Sequence, residues 1–495
     1  MKTISEIQVD TGKNINLENL QENILDQALV SANLNKSSEQ IGNAKDMLVL
    51  FADEVISERM FFKKNISNMI SQRIADIDEI LTNQVNEIIH HPEFQKLEAS
   101  WRGLHNLVKY SEPDEALKVA ILDVTKEDIM SDADSAPEFD ETGLFKLVYE
   151  NEYGTFGGTP FGLLVGDYTF GKGLEEIACM KAISAVAAAA HAPFVAAAEH
   201  DLFNIDSFEN LDKPKHLGKL FQTAEYGAWN SFRSQEDSKY ITLTLPRVIM
   251  REPYGGKNGI PVKEFYFEED LNGTEHEKYL WGNPAFSLAE RMVDSYRQFG
   301  WFSNIRGSEN GGTVSQLPIH TFIDNEGKAN FKIPVETVIT DRREKELDDL
   351  GFLPLVYKRG TDTATFFGSK TIHKLEEYDN DLANANAQLS IQLPYVMALS
   401  RFAHYLKVIM RDKIGSFTNL SEISSYLNRW VTQYVILNDE ASNYTKSCHP
   451  LREAKIDVVS VPGKVGAYKA VMYLRPHFYL NELTVSLRLV TDLNK

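Results

Sequence analysis

The closing segment ELTVSLRLV alternates without a break: Leu483, Val485, Leu487 and Leu489 share one side of an extended chain, and Thr484, Ser486 and Arg488 the other. A period of two fits a strand with one buried face, and a one-residue slip would turn every apolar side chain outward. The segment is therefore expected as a strand in fixed register against a sheet. Upstream, AKIDVVSV (454–461), a PGKVGA turn and YKAVMYL (468–474) predict a hairpin beside it. The C-terminus reads as β-rich.

Elsewhere the periodicity changes. The first 85 residues read as helical and rather polar, with a short amphipathic helix expected from Ile24, Leu25, Ala28 and Leu29. From Ile66, the residues Ile70, Ile74, Ile77, Leu81, Val85 and Ile88 recur at three- and four-residue steps, predicting a long helix that Pro92 ends or re-aims. Its apolar stripe suits either a partner helix or the chain's own core. KVAILDV (118–124), FGLLVGDY (161–168) and YITLTLPRVIM (240–250) read as strands, the first two buried, with helical material at 126–132 and 141–151 between those two. Near Trp281 begins NPAFSLAERMVDSYRQFGW, a helix with Phe286, Ala289, Met292, Val293 and Tyr296 on one face. A second long helix over 381–411 carries Leu399, Phe402, Ala403, Leu406, Ile409 and Met410 on its apolar side, with a kink expected at Pro394. Strands alternating with helices predict a mixed α/β (α+β) fold. Three regions follow: a helical 1–90, an α/β 91–280, and 281–495 with the terminal hairpin and strand.

Charge narrows the partners. The 495 residues carry a formal charge of −20, which argues against nucleic acid or an anionic membrane as the main partner. The densest run, DRREKELDD (341–349), sets Arg342, Arg343 and Lys345 against five acids and lacks the basic excess that phosphate binding needs. It reads as a short helix capped by Asp341, with Glu344 completing the start, Gly351 at its end and Leu347 and Leu350 as its apolar contact. Such a helix is either a solvated face or a contact surface for a partner protein, with Arg342, Arg343, Glu344 and Glu346 as its contact residues. Two cysteines, Cys179 and Cys448, allow no disulfide framework and fit a reducing compartment. MKTISEIQVDTGKN lacks the apolar core of a signal peptide, and the longest apolar run, Ala182 to Ala198, is interrupted by His191 and Pro193. That run is expected as a closely packed internal helix ending before Pro193. A cytoplasmic product without membrane insertion is expected.

The strongest candidate for chemistry is GDYTFGKG, Gly166 to Gly173, after a strand. It matches most of a phosphate-binding loop, but Gly173 stands where Ser or Thr would hold magnesium, and Glu175 and Glu176 occupy the helix start. A structural turn is the favoured reading, and a soluble phosphate- or nucleotide-binding enzyme the alternative. His90 and His91 are adjacent and cannot share a helical ligand face; no paired-cysteine metal spacing exists. His404 is expected to pack a helix rather than act as a base. No catalytic residue, metal ligand or cofactor is assigned.

Several segments together resemble a known family. HHPEFQKLEASWRGL (from His90), EYGTFGGTPFGLLVGDYTF (from Glu152), HAPFVAAA (from His191), NPAFSLAERMVDSYRQFGW, TDRREKELDDLGFLPL, ANAQLSIQLPYVMALSRFAHYLKVIMRDKIGS (from Ala385) and LRPHFYLNELTVSLRLV (from Leu474) are similar to the large subunit of the type VI secretion contractile sheath, the TssC/VipB/IglB family. The resemblance runs from about residue 86 to the end. It implies a non-enzymatic structural protein without cofactors. It also implies an obligate heterodimer with a small sheath subunit (TssB/VipA/IglA type), stacked with its own copies as six-fold helical rings around an inner tube protein on a baseplate. The sheath core would be similar to that of contractile phage tails, with neighbours stitched by strands near the C-terminus, here Leu483, Val485, Leu487 and Leu489. A recycling AAA+ unfoldase would engage an N-terminal helix, for which Ile24, Leu25 and Leu29 are the candidates.

Overall fold

The computed structural model describes residues 46, 49–50, 66–111, 116–256, 259–323, 327–376, 378–413, 420–438, 440–460, 468–477 and 487–492. Two compact units divide at residues 82 and 83, within helix α1 (Ile66–Ile89). The isoleucine stripe of α1 is not core: Ile70, Ile74, Ile77, Leu81 and Ile88 are all exposed. Pro92 starts a new helix, α2 (Pro92–Ser111), which buries Ala99, Gly103, Leu107 and Ser111 at four-residue steps. Gly103 is required there, because a Cβ would lie 2.4 Å from the Phe286 ring. The opposite side of α2 leaves Phe94, Leu97, Trp101 and Val108 exposed.

After α3 (Lys126–Ser135), whose Thr125 and Asp128 form a reciprocal capping box, comes a π-helical turn, Lys146–Tyr153. Three strands follow, the first two joined by a helix: β1 (Leu164–Phe170), α4 (Leu174–Ala190), β2 (Phe194–Ala198) and β3 (Ile241–Leu245). Two short strands, β4 (Val248–Ile249) and β5 (Trp281–Gly282), pair before α5 (Pro284–Phe299). Asn283 accepts from the Ala285 amide at 2.8 Å and Pro284 opens α5, while Gly300 closes it at φ 75°. Next are β6 (Thr313–Val314), the hairpin β7 (His320–Ile323) with β8 (Ala329–Lys332), α6 (Asp341–Asp349), β9 (Phe352–Tyr357) and β10 (Ala364–Phe366). The main sheet has the order β1-β2-β3-β9-β10-β6; β1, β2, β3 and β9 are parallel, and β10 and β6 antiparallel.

Both faces of this sheet are covered, so its central strands are buried at every position. Phe194, Ala196 and Ala198 of β2, with Ile241, Leu243 and Leu245 of β3, face α4 and an aromatic layer of Phe203, Trp229 and Phe352. Val195, Leu353 and Leu355 face Leu288 and Met292 of α5 and Leu393 and Met397 at the start of the helix Leu393–Asp412. The mixed α/β expectation holds.

Several expectations need correction. KVAILDV forms neither a strand nor a buried segment: Ile121 is 68% and Leu122 50% exposed. Pro394 does not kink a continuous helix. It sits in the first turn of a second one, so α7 (Asp381–Ser390) stops and α8 (Leu393–Asp412) begins, since proline is preorganised for a first turn and breaks an interior. Thr340, not Asp341, caps α6: its hydroxyl accepts from the Arg343 amide.

A third core joins α8 and α9 (Leu420–Thr432) to a three-stranded antiparallel sheet, β11 (Leu451–Ser460), β12 (Tyr468–Pro476) and β13 (Leu487–Asp492). Phe402 stacks on Trp301 at 4.6 Å within it.

Candidate assembly surfaces

The glycine turn after β1 is filled by acid. Glu176 of α4 folds back so that its Oε2 accepts from the Gly171 amide at 2.6 Å, and its Oε1 pairs with Lys126 at 2.7 Å. A Cβ at Gly171 would lie 2.4 Å from the Asp201 carboxylate and 2.6 Å from that of Glu176. Burial and the neighbouring Glu176 raise the Asp201 pKa. Lys172 turns away to Asn204 and Glu225. A phosphate would meet two carboxylates and an amide already occupied, so the nucleotide-binding alternative finds no support. Among the described residues, no group of three His, Cys, Asp or Glu side chains could hold a metal ion.

His404 is buried on α8 and its Nε2 lies 2.8 Å from the Ala190 carbonyl. Burial pushes it down to about 3, and burial likewise holds His191, whose Nδ1 meets the Tyr240 hydroxyl at 3.1 Å, at about 4. Beside them Lys407 lies 3.6 Å from the centroid of the Tyr153 ring, and Arg411 donates to the carbonyls of Tyr153, Gly154 and Thr155. His90 meets the buried Glu269, itself clamped by Arg251 at 2.6 Å.

The charged helix α6 turns inward more than its composition suggests. Arg343 has only 9% of its side chain exposed; it pairs with Glu346 at 2.7 Å and donates to the carbonyls of Pro214 and Asp212. Leu347 is fully buried and Leu350 packs on the same core. Asp348 and Asp349 hold Lys370. Burial and Asp348 raise the Glu344 pKa. Of the two arginines only Arg342 faces solvent, 69% exposed, with Glu346 at 3.2 Å.

At the C-terminus β13 pairs antiparallel with β12 of the same chain, Leu487 opposite Leu474 and Leu489 opposite Met472. Leu483 and Val485 lie outside the described residues, as do Ile24, Leu25 and Leu29. Sequence reasoning missed the exposed stripe of α2. Phe94, Leu97, Trp101 and Val108 at three-, four- and seven-residue steps were its available signal, hidden by the second stripe on the same helix.

Two sheath-domain families match the chain in tandem. A family model for the VipB (EvpB/VC_A0108) tail sheath N-terminal domain covers residues 71–373, and one for the tail sheath gpW/gp25-like domain covers residues 382–493. This defines a tail-sheath class of protein. The type VI secretion system sheath protein TssC1 of Pseudomonas aeruginosa strain PAO1 is 43% identical over 445 residues, 89% of each chain. The chain belongs to the TssC/VipB family of type VI secretion sheath proteins, as its large subunit. Among the described residues no helix is long and apolar enough to cross a membrane.

Proposed function

We propose that this chain pairs with a small sheath subunit and polymerises as helical six-fold rings around an inner tube, then contracts to drive that tube outward. The observation that carries the reading is the tandem match of two tail-sheath families across residues 71–493, with a relative 43% identical over most of both chains. The sheath assembles in the cytoplasm on a baseplate, without catalysis or a cofactor; an AAA+ unfoldase recycles it through the helix at Ile24, Leu25 and Leu29. Residues 1–90 make partner and recycling contacts, 91–280 form the α/β sheath domain, and 281–495 carry the core with the stitching strand. A mixed-charge surface at Arg342 and Glu346 serves a contact that breaks and re-forms, and Leu483, Val485, Leu487 and Leu489 form one face of a sheet shared between neighbours.

Co-expression with a small sheath subunit, followed by electron microscopy, tests this. Regular hollow tubules are expected. A soluble heterodimer that never polymerises, or no complex at all, would overturn it.

A further inference from the structure

Three Asn-Gly pairs occur in the sequence: Asn258–Gly259, Asn272–Gly273 and Asn310–Gly311. Glycine has no Cβ to keep its amide nitrogen away from the carbonyl carbon of the preceding asparagine side chain. Whether that nitrogen attacks depends on how tightly the fold holds both groups. Asn258 lies outside the described residues. Asn272 is held: its Oδ1 accepts from the Thr274 amide at 3.0 Å and from the Thr274 hydroxyl at 2.7 Å. Gly273 is buried against the Phe322 ring, where a Cβ would lie 2.3 Å from the nearest ring carbon. Asn310 differs. Among the described residues its side chain makes no hydrogen bond, and the Gly311 amide donates to none. Asn310 is partly exposed and Gly311 exposed, in a turn where Gly311 takes φ 81°.

We propose that Asn310 is a self-modification site, at which the chain converts asparagine to aspartate and isoaspartate with water as the only reagent. The Gly311 nitrogen attacks Cγ of Asn310. The new N–Cγ bond replaces the bond from Cγ to the side-chain nitrogen, which leaves as ammonia with the glycine's amide proton. Water then opens the cyclic imide at one of its two carbonyls, and nothing is oxidised or reduced. Opening at Cγ gives aspartate. Opening at the main-chain carbonyl gives isoaspartate, whose backbone runs through the side chain and is one carbon longer.

The turn has no room for that carbon. A Cβ on Gly311 would already lie 2.4 Å from the Asn304 carbonyl oxygen. The Gly312 amide donates to Gly307 at 3.0 Å, Gly307 to Phe366 of β10 at 2.7 Å, and Phe366 back to Gly312 at 2.9 Å. Asn304 in turn accepts from the Ser447 hydroxyl at 3.0 Å, on the helix Asn443–Cys448. Isoaspartate at 310 therefore strains a contact between the region matching the N-terminal sheath domain and the region matching the gpW/gp25-like domain. Aspartate, with its backbone unaltered, leaves that contact in place.

Incubation of the purified full-length chain at mildly alkaline pH, where the attacking amide loses its proton more readily, tests this by digestion and mass spectrometry. Asn310 should convert at least about tenfold faster than Asn272, which must first give up two hydrogen bonds. In urea, with the fold lost, the two rates should converge. Enzymatic methylation specific for isoaspartate should label the Asn310 peptide, and Asn310→Gln should remove that label. The isoaspartate fraction should unfold at a lower temperature than the unmodified chain, while Asn310→Asp melts with it. A folded chain in which Asn310 stays intact while the urea-treated chain converts would overturn the site, as would equal rates at Asn310 and Asn272. An isoaspartate form as stable as the unmodified chain would overturn the strain at Asn304.

Discussion

Lys172 spends its charge on Asn204 and Glu225, in an ion pair whose members are 30% and 52% exposed. Screened pairs of this kind contribute about 1 kcal/mol or less. Lys172→Ala should therefore leave the melting temperature and tubule formation unchanged. Calorimetry should detect no ATP or GTP binding in either form; binding that disappears in the variant would restore the enzyme reading. His404 and His191 give a pH dependence of definite sign. Folded, they sit at about 3 and about 4, below the ordinary 6.5. The unfolded chain binds protons at both as pH falls below about 6.5, and the folded chain resists. Their contribution to stability is thus fully present above about pH 6.5 and is lost as pH drops toward about 4. Melting temperature followed across that window should fall with acid, and His404→Gln, which can still donate to the Ala190 carbonyl, should flatten the slope. An unchanged slope would place the acid sensitivity elsewhere.

At the scale of elements, α6 separates two arginines that look equivalent in DRREKELDD. Arg343→Glu would set a carboxylate beside Glu346 and the carbonyls of Pro214 and Asp212, at a cost of roughly 3–5 kcal/mol, visible as a lower urea midpoint. Arg342→Glu, on the solvent side, should shift stability by about 0.5 kcal/mol or less. If α6 is a sheath contact, Arg342→Glu should still reduce tubule number or length by microscopy; full-length tubules would make it a solvated face. The terminal strand has its own test. Val485→Pro removes a main-chain donor just ahead of β13 and fixes φ, which a paired strand tolerates poorly. It should abolish tubules while the heterodimer can still be purified, and tubules of normal length would show that the stitch lies elsewhere.

At the scale of the molecule, large apolar side chains stand exposed on three described stretches, α1 at Ile70, Ile74 and Ile77, α2 at Leu97 and Trp101, and the segment at Ile121 and Leu122. Exposed apolar area on this scale marks interaction surfaces or aggregation liabilities. Expressed without its partner, the chain should aggregate despite its −20 charge, and co-expression should restore a single species by size-exclusion chromatography. A stable monodisperse monomer at high concentration would contradict the obligate pairing.

Periodicity by itself determined the long helices at 66–89 and 284–299 and the C-terminal hairpin, because each buries or presents one face at the spacing of its own backbone. Composition determined the mixed-charge helix and its stop at Gly351, which takes φ 83°. What tertiary structure decided were the places where local pattern is silent. FLPLVY carries a proline, which a strand inside a sheet tolerates poorly, yet Pro354 sits inside β9, paired with Leu245 in the main sheet. FVAAA has little strand preference of its own, but β2 is buried on both sides by α4 and α5 and has no alternative place. The inward turn of Arg343 depended on carbonyls about 130 positions away along the chain. KVAILDV fails in the opposite direction: its pattern asks for a strand, and among the described residues no neighbour pairs with it. A sequence specifies which backbone wants a partner; only the folded arrangement of distant segments determines whether that partner is within reach.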